Sequence, residues 1–137
     1  LFCDYSSYPK VRENNFLGNA MAVKLGIYQS ADWEKRSGSK GIMAKAAADR
    51  NSQNPLLPKA PTTFSDQVDV SGNWWGQETA QLAQAGPEGN LPFFHDRLDQ
   101  PEVSYQGFGP GKYSLDRIVF APWLDWEVAD AGPEERP

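Results

Sequence analysis

Three carboxylates at regular spacing are the pattern in this sequence that comes closest to a chemical site. Asp96, Asp99 and Glu102 follow one another at intervals of three residues. A hard cation such as Ca²⁺ takes several carboxylate oxygens, and a helical segment would bring these three together. Pro101 interrupts a helix at this point, because it lacks the N–H that a helix interior requires. The spacing therefore favours exposed or salt-bridged carboxylates, with a Ca²⁺ site as the alternative.

The other reactive side chains are not grouped for catalysis. His95 is the single histidine, and no nucleophile motif stands near it. Cys3 is the single cysteine, which excludes an internal disulfide and any C-x-x-C metal or redox motif. The segment 107–111 is rich in glycine but lacks the Lys-Ser or Lys-Thr of a phosphate-binding loop. We therefore expect no catalytic residue and no cofactor.

Composition is that of an ordinary globular chain of one domain. Of the 137 residues, 39% are hydrophobic and 23% are charged. Thirteen basic and eighteen acidic residues give a net charge of −5, the wrong sign for binding the phosphates of nucleic acid. No apolar run approaches the roughly 18 residues that cross a bilayer. We expect neither a nucleic-acid partner nor a membrane-spanning segment.

The start of the sequence leaves two questions open. Leu1 is either a mature N-terminus or a fragment boundary, since no signal peptide precedes it. Cys3 would accept a lipid if a signal sequence ended in front of it, but Leu-Phe matches such a signal poorly. A buried or free thiol is the simpler expectation for this cysteine.

Short segments of alternating apolar and polar residues predict strands at 21–28, 68–70 and 118–120. In the first segment, Val23, Leu25 and Ile27 would face the interior. Helix-forming composition predicts short helices at 42–49 and 79–85, with 91–98 as a less regular candidate in which Phe94 and Leu98 lie one turn apart. Clusters of the 12 glycines and 11 prolines separate these elements.

An internal repeat is the most informative feature of the sequence. Val11, Asn14 and Phe16 have the same spacing as Val70, Asn73 and Trp75, and every pair is 59 positions apart (73 minus 14, for example). Stacked-repeat proteins have periods of roughly 20–50 residues, so this distance corresponds to two or more coils with an insertion between them.

The two asparagines suit a sharp turn between the faces of a coil. Asn14 and Asn73 tolerate the left-handed conformation, and each side-chain amide can hydrogen-bond the next coil's asparagine. Phe16 and Trp75 would then fill the interior. Asparagine favours turns in any fold, which remains the alternative explanation.

Four stretches in order carry a family resemblance. They are residues 6–19, the Asn-Trp-Trp-Gly turn at 73–76, the segment 95–101 and the segment 118–124. They resemble right-handed parallel β-helix repeat proteins, the group that includes pectate-lyase-like proteins and periplasmic proteins of copper-site maturation. The likeness covers residues 6–29 and 68–124. Residues 30–67 match nothing in the group, and 107–113 lengthens a loop.

The resemblance implies an all-β fold with short helical insertions, namely a short right-handed parallel β-helix with a C-terminal cap. One domain would span 1–137. Its parts would be coils at 6–29 and 64–76, a helical insertion at 37–53, a cap at 77–126 and a flexible tail at 127–137. The cap would close the open end of the coils with aromatic side chains. Its members would be Trp74, Trp75, Phe93, Phe94, Trp123 and Leu124.

The resemblance also implies a function and a location. We expect a non-catalytic structural or interaction module of an exported bacterial protein, located in the periplasm, at the outer surface or outside the cell. The alternative is part of a carbohydrate-binding or polysaccharide-degrading β-helix protein, with the aromatics as a platform for sugars. Too few coils fit into this length for an independent stack, so another chain or an upstream part of the same polypeptide should cover the first coil. Phe2, Tyr5 and Tyr8 would contact that partner.

Overall fold

Short strands that pair mainly in parallel organise the chain. The computed structural model describes residues 1–5, 7–37, 65–105 and 111–131. The strands in this part of the chain are β1 (Phe2–Cys3), β2 (Val23–Leu25), β3 (Gln67–Asp69), β4 (Phe94–His95), β5 (Val103–Ser104), β6 (Lys112–Tyr113) and β7 (Arg117–Val119). The helices there are α1 (Ala31–Ser37) and α2 (Thr79–Ala85), and a 3₁₀ turn (Gly76–Glu78) precedes α2.

Parallel pairing brings distant parts of the chain side by side. One sheet has the order β1-β2-β4 and is parallel throughout. A second, parallel pair consists of β3 and β7, while β5 and β6 form an antiparallel hairpin. Parallel neighbours need a long connection that returns the chain to the same end of the sheet. The connections here pass through the asparagine-containing segments 11–16 and 70–75.

These two segments also lie side by side. Asn15 and Trp74 form a parallel bridge, and the Phe16 N–H donates to the Trp74 carbonyl over 2.8 Å. A third segment, 122–124, continues the stack on the other side. The Gly72 N–H donates to Pro122 over 2.7 Å, and the Leu124 N–H donates to Asn73 over 2.9 Å.

The main core lies between these paired segments. Alternation along β3 buries Val68 and Val70 completely and leaves Asp69 exposed, as a strand with one inner face requires. The inner faces of β2 and β7 contribute in the same way. The buried apolar residues of this core are Cys3, Ala22, Val23, Leu25, Val68, Val70, Trp75, Leu82, Leu91, Phe93, Phe94, Ile118 and Phe120.

A smaller aromatic core lies under α1 and the hairpin. Trp33, Val103, Tyr113 and Leu115 are buried there. The Ser30 hydroxyl caps α1 by accepting the Trp33 N–H over 2.9 Å, as an N-cap serine does.

Several expected elements form differently. Strand β2 covers only Val23–Leu25, and Ile27 is 40% exposed because the chain turns at Gly26. Segment 91–98 contains β4 and turns, not a helix, since β4 pairs with β2 and buries Phe94 while leaving Leu98 exposed. Helix α2 occupies the segment predicted as helical. The predicted helix at 42–49 lies outside the described residues, and α1 was not predicted.

Two residues near the C-terminal end of the described chain also differ from expectation. Trp123 is half-buried and packs on the core next to Phe120, with ring centroids 6.1 Å apart. Its backbone runs along the outside of the 70–75 segment, which keeps the ring at the border of the core. Val128 lies in the expected flexible tail, yet its N–H and C=O are both held by the Asn15 side chain, at 2.8 and 3.0 Å.

The buried carboxylate of Asp116 joins α1 to the N-terminal segment. It accepts hydrogen bonds from the Ala31 N–H at 2.8 Å, the Tyr8 hydroxyl at 2.9 Å and the Gln29 amide at 3.2 Å. Burial raises the pKa of Asp116 above 3.8 because it penalises the charged form more than the three donors favour it.

This raised pKa predicts a pH dependence of stability. A carboxyl whose native pKa is raised stabilises the fold most below the unfolded value of 3.8, and this contribution falls as pH rises through the native pKa. The difference in free energy of unfolding between the wild type and Asp116→Asn should therefore decrease with rising pH. Urea unfolding from pH 3 to pH 7 measures it.

Asp69 supplies a control of opposite sign. Its pKa is lowered by hydrogen bonds from Ser71 and, to a smaller extent, by the nearby Arg12 guanidinium. The difference between wild type and Asp69→Asn should therefore be lost as pH falls below 3.8. If the difference in free energy of unfolding from the wild type changed with pH in the same direction for both variants, the pKa directions given for Asp116 and Asp69 would be contradicted.

Candidate interaction site

Asn73 is fully buried and hydrogen-bonds both asparagine-containing segments. Its side-chain oxygen accepts from the Asn14 N–H at 3.0 Å and from the Asn14 side-chain amide at 3.2 Å. Its side-chain nitrogen donates to the carbonyls of Val11 at 2.8 Å and Val70 at 2.7 Å. The structure therefore places the two residues of the repeat at equivalent positions in adjacent segments.

The aromatic residues of the repeat are stacked in the same register. Phe16 and Trp75 have ring centroids 4.4 Å apart and an interplanar angle of 15°. Trp75 is 1% exposed and Phe16 is half-buried against the core. This stack continues inward, because Trp75 also meets Phe94 edge to face at 5.1 Å.

Strand β1 leaves one backbone edge open. The carbonyls of Leu1 and Cys3 accept hydrogen bonds from Lys24 and Gly26, at 2.9 and 2.8 Å. Successive backbone groups of a strand point to opposite sides, so the N–H and C=O of Phe2 face away from β2. No strand among the described residues lies on that side.

Exposed apolar side chains are concentrated in the N-terminal part of the chain, which includes this edge. The described residues contain eight large apolar side chains that are exposed, and six of them belong to the first 29 residues. Phe2 and Tyr5 are 62% and 61% exposed. The other four in this region are Leu1, Leu17, Met21 and Ile27. Clustering of this kind marks interaction surfaces, whereas single exposed apolar residues need no explanation.

Tyr5 is held in place although it is exposed. Its ring stacks on Tyr28 with centroids 4.8 Å apart, and Asp4 Oδ1 accepts the N–H groups of Tyr5 and Tyr28 at 2.9 and 2.8 Å. Gly26 allows this contact, because a Cβ there would lie 2.4 Å from the Asp4 carboxyl carbon. A side-chain hydrogen bond with Tyr105 and loss of solvent raise the pKa of Tyr28 to about 12.

Two residues near the edge face inward. Tyr8, expected to contact a partner, is half-buried because its hydroxyl donates to the buried Asp116. The contact of Tyr8 with a partner stays a prediction, whereas Phe2 and Tyr5 are exposed. The Cys3 thiol is 2% exposed in the main core, and burial raises its pKa.

An open groove of about 440 Å³ lies beside the edge, on the outer face of the three-stranded sheet. Phe2, Lys24 and His95 line it as cross-strand neighbours. The His95 Nε2 lies 3.4 Å from the Gln100 side-chain oxygen. The groove is open and is lined by charged, polar and aromatic side chains, so it extends the surface beside the edge.

The three carboxylates singled out in the sequence do not converge. Asp96 is buried, and its oxygens accept the N–H groups of Leu98 at 2.9 Å and Ile118 at 2.7 Å. Asp99 accepts the Asp96 N–H at 3.0 Å, and Glu102 lies 3.9 Å from the Lys112 amine. Within the described ranges no group of three His, Cys, Asp or Glu side chains is placed to hold a metal ion. The Ca²⁺ alternative is therefore wrong for this segment.

Asp96 instead covers the outer edge of β7. Arg117 and Val119 make their backbone hydrogen bonds to the β3 side, so the Ile118 N–H faces away from β3. The Asp96 carboxylate accepts that N–H, and the Arg97 N–H bonds the Asp116 carbonyl at 3.1 Å. This edge is closed by the chain itself, in contrast to the edge of β1.

Sequence reasoning missed the polar residues that bind these segments together. Asp116, Gln29 and Asp4 have no motif around them, and their partners are up to 108 positions away in the chain. Only Pro101, which interrupts a helix through Asp96, Asp99 and Glu102, pointed to a turn in this part of the sequence.

Comparison with known proteins found no family model, no curated protein and no solved structure that matches this chain. Among the residues that the structure describes, no helix has the length and apolar character needed to cross a membrane.

The Asn73 side chain gives a direct test of the repeat. Asn73→Ala leaves two carbonyls and the Asn14 N–H without partners in a buried place, and each lost partner costs about 1–3 kcal/mol. We expect the free energy of unfolding to fall by about 3 kcal/mol or more in urea.

Asn14→Ala is the matched control. Asn14 is exposed and its side chain donates only to Asn73 and to the Arg12 carbonyl, so we expect a loss of about 1 kcal/mol or less. Similar losses for both variants would contradict a special role of Asn73.

Proposed function

We propose that the chain is a short right-handed parallel β-helix with a C-terminal cap, and that it serves as a non-catalytic interaction module. The observation that carries the functional proposal is the open outer edge of β1, on and beside which Leu1, Phe2 and Tyr5 are exposed. A partner strand would add to this edge in the way that β1 itself adds to β2.

Three parallel ladders support the β-helix. They are the sheet β1-β2-β4, the pair β3-β7, and the adjacent segments 11–16, 70–75 and 122–124. A chain that passes through three such ladders in turn forms coils stacked on one another. In stacked-repeat proteins each unit buries its apolar face against the next, so an end must be covered.

The difference between the two edges supports an interaction at the β1 end. Asp96 and Arg97 occupy the outer edge of β7 and block further pairing there. Phe2 presents a free N–H and C=O at the edge of β1, and Leu1 and Tyr5 beside the strand are exposed. Unprotected edges of this kind accept strands from other polypeptides, and main-chain hydrogen bonds supply the affinity.

The occupant that fits is a parallel strand of a further coil, from another chain or from another part of the same polypeptide. Its inward side chains would continue the apolar interior beyond Cys3, which is buried in the core. An extracytoplasmic location belongs to the same proposal and is supported only by the resemblance of the four sequence stretches.

The proposal predicts self-association through the β1 edge when no other partner is present. Sedimentation velocity of the 137-residue chain over a range of concentrations should show dimers or larger species. Phe2→Pro removes the open-edge N–H without touching the bonds of Leu1 and Cys3 to β2, and should weaken association about tenfold or more, since proline blocks edge pairing.

Two control variants distinguish pairing at the β1 edge from non-specific hydrophobic association. Phe2→Ala removes the ring but keeps the N–H, and should weaken association less than Phe2→Pro. Leu98→Ala removes an exposed apolar side chain away from the edge and should have no effect. A monodisperse monomer of the wild-type chain at all concentrations would overturn the proposal.

A further inference from the structure

We propose that a pocket on the outer face of the β3-β7 pair binds a carboxylate through Arg117. The pocket has a volume of about 250 Å³ and is lined by Gln67, Glu88, Arg97 and Arg117, with Pro87 and Ala121 among its apolar walls. Gln67 and Arg117 are direct cross-strand neighbours, so the sheet holds both side chains on one face.

One donor of the Arg117 guanidinium, Nε, lacks a hydrogen-bond acceptor although the side chain is largely buried. Its side chain is 19% exposed, and its Nε is buried without a hydrogen-bond partner. Asp96 Oδ2 lies 3.4 Å from that Nε, but this oxygen accepts the Ile118 N–H at 2.7 Å. Asp96 therefore balances the charge of Arg117 without satisfying its donors, and buried donors without acceptors are rare in folded proteins.

Among the described residues, Glu88 has the only carboxylate within 4 Å of the Arg117 Nη2. Its Oε2 lies 3.9 Å from Nη2, which is too long for a hydrogen bond, and its side chain is 90% exposed. The Glu88 carboxylate therefore lies where an anion would bind to Arg117, but it makes no hydrogen bond to the guanidinium. A free carboxylate in the pocket would accept two parallel N–H bonds from the guanidinium, the geometry that arginine favours.

Arg97 places a second positive charge in the lining of the pocket. Its terminal nitrogens lie 3.4 Å from Asp66 Oδ2, a long contact with a 57% exposed partner. The carboxylates of Asp66, Glu88 and Asp96 around two arginines disfavour an ion of high charge. A singly charged carboxylate of a small organic acid fits this balance better than phosphate.

An NMR titration tests the site with acetate as the probe. The Arg side-chain Nε–Hε resonances of the labelled chain are followed at constant ionic strength, with sodium chloride replacing sodium acetate in the reference series. We expect a saturable shift of the Arg117 resonance with acetate, and a smaller, non-saturating one with chloride or inorganic phosphate. Absence of saturation with acetate, or tighter binding of phosphate, would overturn the assignment.

Two substitutions make the test specific. Glu88→Gln removes the competing carboxylate and should tighten acetate binding about two- to fivefold, the range expected for an exposed ion pair. Glu127→Gln makes the same charge change away from the pocket and should leave the affinity unchanged.

Loss of the guanidinium is the complementary test. Arg97→Gln keeps Arg117 and should weaken acetate binding, while Arg117→Gln should abolish the saturable shifts of the amides of Gln67 and Val119. If Arg117→Gln fails to fold, the Arg97→Gln and Glu88→Gln variants still test whether acetate binds in this pocket. Equal affinities in Glu88→Gln, Glu127→Gln and Arg97→Gln would overturn the proposal.

Discussion

The fold depends on the side chain of Asn73 because it supplies hydrogen bonds that neither neighbouring segment can make alone. Segments 11–16 and 70–75 turn sharply, so several of their backbone groups point into the interior and not along a strand ladder. One amide satisfies the Val11 and Val70 carbonyls and accepts the Asn14 N–H. Buried backbone groups must find partners, and only a side chain with both donors and an acceptor meets this need at one point. The stacked rings of Phe16 and Trp75 can then pack in register beside it.

Elsewhere in the molecule, buried and half-buried carboxylates connect separate segments by hydrogen bonds, as the Asn73 side chain does. Asp116 binds Tyr8, Gln29 and the start of α1, Asp4 binds the N–H groups of Tyr5 and Tyr28, and Asp96 binds those of Leu98 and Ile118. Each of these carboxylates accepts at least one hydrogen bond from a distant part of the chain. Strands of two or three residues provide few ladder hydrogen bonds, so side chains must supply a larger share of the tertiary connections. The carboxylates that suggested chemistry in the sequence therefore have structural partners.

The sequence predicted the features that depend on local pattern and on the repeat. Alternation placed Val23, Leu25, Val68 and Val70 inside, and glycine after Ala85 marked the end of α2. The 59-residue offset matched Asn14 with Asn73. Features that depend on distant partners were not predictable. Ile27 is exposed because Gly26 must approach Asp4, Phe94 forms a strand because β2 lies beside it, and Tyr8 turns inward because Asp116 is there. Each of these partners lies too far away along the chain for a local hydrophobic pattern to reveal it.

Two of the outer edges of the paired strands, those of β7 and β1, differ in how they are covered. At β7, a carboxylate takes the one N–H that a further strand would need, and the backbone of Arg97 occupies the neighbouring position. At β1, the corresponding groups of Phe2 have no such cover, and the apolar side chains that flank them are exposed. A chain that protects one edge with a buried carboxylate has a means of protecting edges in general. The lack of such cover at β1 is the observation on which the proposed strand addition depends.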